Sequence, residues 1–111
     1  MNKRLLQDIL TIYHRHGWEL RQVLITPEAF LRLDDETKVL FGQAKLIETD
    51  FEALWLARPS HQRHEAWELR LFSEQPYALF EAFEAEETEE DREEARREME
   101  ARMREQALGR S

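Results

Sequence analysis

The chain has 111 residues, 41% of them hydrophobic, no cysteine and a formal net charge of −8. That length and apolar content predict one domain with its own core, while the missing cysteines exclude disulfides, thiolate metal sites and cysteine nucleophiles. Half of the acids fall within residues 81–111, and an acidic chain repels phosphate, so nucleic acid is not an expected partner.

Residues 3–16 read as an amphipathic helix. Leu5, Leu6, Ile9, Leu10 and Tyr13 recur at three- and four-residue spacing, the repeat of one helical face. Gly17 is the expected stop, because glycine accepts the left-handed conformation that ends many helices. Gln7 and Asp8 interrupt the apolar residues after Lys3 and Arg4, which is too polar for a signal-peptide core. No apolar run approaches the roughly 18 residues a membrane span needs. The expectation is therefore a cytoplasmic chain with no membrane partner.

Residues 18–25 predict a strand, from the alternation of Trp18-Glu19-Leu20-Arg21 and the strand formers Val23, Leu24 and Ile25. Thr26 and Pro27 then read as the N-cap and first position of a short helix near 27–33. Asp34-Asp35-Glu36 breaks that pattern. Residues 37–43 match neither period clearly and end in a turn at Gly42.

From Lys45 onward the period shifts to two. Lys45–Glu48 predicts a short strand, followed by strands at 51–58, 65–72 and 77–84. The third of these four alternates most clearly, with Trp67, Leu69 and Leu71 on one side and Glu68 and Arg70 on the other. The links at 59–63 and 73–76 have turn chemistry, so these last three strands form a predicted antiparallel meander. The fold class expected is α+β, with an antiparallel sheet of about four strands.

Residues 88–108 predict a long charged helix of strong helix formers. Thr88 and Asp91 suggest a capping box, and Glu93–Arg97, Glu98–Arg102 and Glu100–Arg104 stand at favourable four-residue spacing. Its apolar stripe is thin: Ala95, Met99, Met103 and Ala107. The chain divides into an α+β unit, residues 1–85, and a charged helix with a short tail, 86–111. That helix either packs on the unit or projects as an arm.

No catalytic constellation emerges. His14 and His16 lie two apart, so they project roughly 200° from each other on a helix, and His61 and His64 fall in a predicted loop. Neither pair forms a metal site by itself. Asp34-Asp35-Glu36 lacks the alternating spacing and glycine of a calcium loop, and the three glycines form no phosphate loop. No cofactor, metal or catalytic residue is assigned. Trp-Glu-Leu-Arg occurs at both 18–21 and 67–70, and reads as recurrent strand composition.

The informative feature is the sheet. Leu54, Leu56, Phe72, Ala78, Phe80 and Ala82 add an apolar surface opposite that of Trp67, Leu69 and Leu71, more than one amphipathic helix covers. The expected function is a non-catalytic protein–protein interaction module acting as a homodimer. Its interface candidates are Leu54, Trp55, Leu56, Phe72, Phe80, Met99 and Met103. Two alternatives remain. One is an acidic chaperone or inhibitor of a basic partner. The other is a ligand-binding or enzymatic domain whose pocket, between the first helix and the sheet, is lined by Trp18, Trp55, Tyr77 and His64.

Overall fold

The first helix, α1 (Lys3–Arg15), begins where the Asn2 side chain accepts a hydrogen bond from the Leu5 amide. It ends at Gly17, whose φ of 84° is left-handed, and the Gly17 and Trp18 amides donate to the carbonyls of His14 and Tyr13. The chain then enters β1 (Glu19–Ile25). The fold is seen in a computed structural model, which describes residues 1–59, 62 and 64–109.

After β1, Thr26 caps α2 (Pro27–Leu31) by accepting from the Ala29 amide. A further helix, α3 (Asp35–Phe41), occupies the stretch where the sequence pattern was ambiguous. Asp34 is its N-cap, accepting from the Thr37 amide at 2.7 Å, and Asp35 and Glu36 lie in its first turn. The acidic triplet thus starts a helix instead of ending one: anions are favoured where unpaired amides gather. Hydrogen bonds from Thr37 hold the Asp34 carboxyl below its usual range.

The fold is α+β, and the sheet has five strands in the order β2-β1-β3-β4-β5. The others are β2 (Lys45–Glu48), β3 (Ala53–Pro59), β4 (Glu65–Leu71) and β5 (Ala78–Phe83). β3, β4 and β5 form the expected antiparallel meander. β2 departs from the expected pattern, because it pairs parallel to β1. Parallel neighbours need a crossover between them, and α2 and α3 are that crossover. The long helix α4 (Glu89–Ala107) opens on the anticipated capping box of Thr88 and Asp91.

Each face of the sheet carries its own core. On one, Leu6, Ile9 and Leu10 of α1 pack with Trp18, Val23, Ile25, Leu54, Leu56 and Ala66, joined by Ala29 and Phe41 from the crossover. On the other, Met99 and Met103 of α4 pack with Leu24, Phe51, Ala53, Trp55 and Leu69. A β-bulge makes the first arrangement possible. The register of β1 against β3 shifts between Leu20 and Gln22, so that Leu20 stands opposite Leu56 but Gln22 opposite Trp55. The extra residue reverses the alternation. Leu20 before the bulge and Val23 and Ile25 after it therefore share the α1 face.

Candidate interaction surface

Five of the seven interface candidates are used inside the fold. Leu54 and Leu56 are buried in the α1-side core, and Trp55, Met99 and Met103 in the α4-side core. Phe72 is half-buried against the α1-side core, its amide donating to the Glu52 carbonyl. Phe80 differs from all of these: it is 57% exposed.

The α4-side core explains how a helix with a thin apolar stripe seats on a sheet. The Trp55 and Trp67 rings meet edge to face at 5.8 Å. The Arg96 guanidinium lies 4.6 Å from the Trp67 ring centre, and that of Arg92 lies 5.5 Å from the Phe83 ring centre. Arginine stems are apolar and their heads attract aromatic faces, so Arg92 and Arg96 act as packing residues. Arg92 also donates to Glu65 and to the Glu84 carbonyl, each at 2.6 Å. Its buried Nε has no hydrogen-bond partner among the described residues.

Of the anticipated pairs along α4, Glu93 and Arg97 approach to 3.8 Å. Glu100 and Arg104 are drawn to tertiary partners. The Trp55 indole donates to Glu100 at 2.7 Å, and Arg104 donates to Asp50 at 2.8 Å. The hydrogen bond and charge of Arg104 lower the Asp50 pKa, and those of Asp50 raise that of Arg104.

On the α1 face an aromatic row leads out to β5. Tyr13 meets Trp18 edge to face, and Trp18 meets Phe80 in the same way, each pair at 6.1 Å between ring centres. Arg58 lies 5.1 Å from the centre of the Trp18 ring. The Tyr13 hydroxyl donates to Glu68, which stands opposite Phe80 in the β4–β5 register. Burial, then the bond to Glu68, pushes the Tyr13 phenol well above its ordinary range. Phe80 is thus supported from behind, while Ala78 and Ala82 beside it on the same face are exposed. Next to this row, Ile9, Ile12, Tyr13, Arg70 and Pro76 line a groove of about 260 Å³.

The two edges of the sheet are treated differently. β2 is four residues long and bears Lys45 and Glu48, and short charged edges resist pairing with other chains. β5 is longer and bears one charge, Glu81, among Ala78, Leu79, Phe80, Ala82 and Phe83.

The residues suggested for a pocket do not converge. Trp18 lies in the α1-side core, while Trp55 and Tyr77 belong to the α4 side. His64 approaches Glu84 at 3.7 Å, and His61 lies outside the described residues. The two Trp-Glu-Leu-Arg segments also face opposite ways, since Trp18 and Leu20 pack toward α1 and Trp67 and Leu69 toward α4. Among the described residues no group of three or more His, Cys, Asp or Glu side chains gathers as a metal shell would. No described helix is long and apolar enough to cross a membrane.

Sequence alternation singled out Phe80 but not the edge position of β5. A short hydrophobic strand at the end of a meander is the available signal for an edge; strand order is what turns it into a surface. Comparison with family models, curated proteins and solved structures finds no match.

Proposed function

We propose that the chain is a small, non-catalytic protein–protein interaction module that acts as a homodimer through β5. The observation that carries this reading is Phe80, a large aromatic more than half exposed on an edge strand and braced by Trp18. Interface anchors are typically aromatic and held in place before binding, which limits the ordering cost of association. Sedimentation across the micromolar range tests the reading. The expected result is a concentration-dependent dimer that Phe80→Ser weakens; a strict monomer throughout would remove the proposal.

A second reading rests on α4. Glu90, Glu94 and Glu98 are exposed at four-residue spacing on its outer side, a row suited to steering a basic protein partner. In that case binding weakens with salt and is lost when the three are changed together to Gln.

A further inference from the structure

We infer that two copies join edge to edge through β5, antiparallel about a twofold axis at Phe80, so that their sheets become one continuous sheet. This rests on the homodimer reading above and adds its geometry.

The first support is the direction of the β5 backbone groups. The Leu71 amide donates to the Tyr77 carbonyl, so Tyr77 turns its backbone toward β4. In an antiparallel ladder, alternate residues face the partner strand and the open side. Leu79, Glu81 and Phe83 therefore face β4, while Ala78, Phe80 and Ala82 turn their N–H and C=O groups outward. The β4–β5 register runs without a shift from Glu65↔Phe83 to Arg70↔Ala78. There is no bulge, proline or lysine within β5 to blunt this edge.

The second support is the choice of register. If the α1 face of one copy continues the α1 face of the other, residues opposite each other must share a face. The twofold axis must then pass through a residue and not between two. Centring it on Glu81 sets like charges directly opposite, which is unfavourable. Centring it on Leu79 places Pro76 opposite Ala82, and proline has no N–H to donate. Centring it on Ala82 runs Phe80 against Glu84, which lies past the end of the strand. Centring it on Phe80 satisfies every outward group of the strand. Ala78 then pairs with Ala82 of the partner subunit, and Phe80 with Phe80 of the partner subunit. The two phenylalanines cover each other, and Glu81 stands opposite Leu79.

Charge adds a consequence of opposite sign to that of a basic partner. Each copy carries −8, so approach is opposed by repulsion that salt screens. The dimer should tighten, not loosen, as ionic strength rises.

The full chain contains no cysteine, so introduced ones report the register without background. The test oxidises A78C/A82C, A82C and E81C under mild conditions, reads them on non-reducing gels, and sediments the reduced forms in parallel. The double variant is expected to give a covalent dimer, whereas A82C and E81C alone remain uncrosslinked. Residues 78 and 82 of one copy lie about 13 Å apart along the strand, too far to bridge internally. Ala82→Pro removes an outward N–H that the β4–β5 ladder does not use. It should weaken the dimer about tenfold or more with its far-ultraviolet circular dichroism unchanged. A dimer that crosslinks through A82C or E81C alone overturns the register. A dimer that none of the variants crosslinks, and that Ala82→Pro leaves equally tight, overturns the β5 edge and leaves only a homodimer formed through another surface. A monomer in sedimentation of the unmodified chain overturns both.

Discussion

The two faces of the sheet are closed by opposite means. The α1 face is sealed by Leu6, Ile9 and Leu10 over Val23, Ile25, Leu54 and Leu56, an aliphatic contact that depends on area removed from water. The α4 face is sealed by only two buried methionines plus arginines laid on aromatic rings and tied by carboxylates. One sheet can therefore hold a helix either through an apolar stripe or through long amphipathic stems, and hydropathy alone recognises only the first.

The largest effect that separates the faces should come from Leu6→Ala. Leu6 is fully buried, and truncating a buried leucine costs about 2–5 kcal/mol. Urea unfolding at low and high salt should show the same loss in both, because no charge is involved. A strong salt dependence would mean the α1 face is not held as described.

Arg92→Ala should cost less, about 1.5–3 kcal/mol for hydrogen bonds to a charged group, since the Glu65 side chain left behind is 39% exposed and can hydrate. Arg92→Met should recover part of the loss, because it keeps an apolar stem against Phe83 that Ala lacks. If Met is as damaging as Ala in urea unfolding, the stem does not contribute to packing.

The smallest effect lies at the far end of α4. Folding lowers the Asp50 pKa below its ordinary 3.8 through Arg104. A carboxyl with a lowered folded pKa stabilises the fold above its ordinary pKa, and that contribution is lost as pH falls through the lowered value. Asp50→Asn should therefore be slightly less stable than the parent near neutral pH. The difference should disappear in acid, as read from the urea midpoint at each pH. A difference that persists in strong acid would assign the effect to packing.

Much of the α+β fold was legible because local patterns carried it. α1 showed its three- and four-residue spacing, and the meander showed alternation between turns. α3 was missed although its signals were present: Asp34 as N-cap, acids in the first turn, and Gly42 at the end. Seven residues are too few for periodicity to outweigh a run of acids. The seat of α4 was missed for a different reason. Arg92 and Arg96 look like solvent-facing charges until Trp67 and Phe83 are placed beneath them. At the candidate surface, Phe80 was visible by its alternation, but Leu54, Trp55, Leu56, Met99 and Met103 look equally apolar in sequence. Only packing separates them.

By itself, the sequence determined the class of fold, the caps at Thr26 and Thr88, and the alternation of β4, because these depend on neighbours a few residues apart. The tertiary structure decided that β2 runs parallel to β1, that a bulge at Arg21 brings Leu20 and Val23 to one face, and that β5 is an edge. Those outcomes depend on which distant strands pair, and pairing is chosen by the burial of both faces at once. The same choice leaves Phe80 more than half exposed while Val23, Ile25, Leu54, Trp55, Leu56 and Leu69 are enclosed.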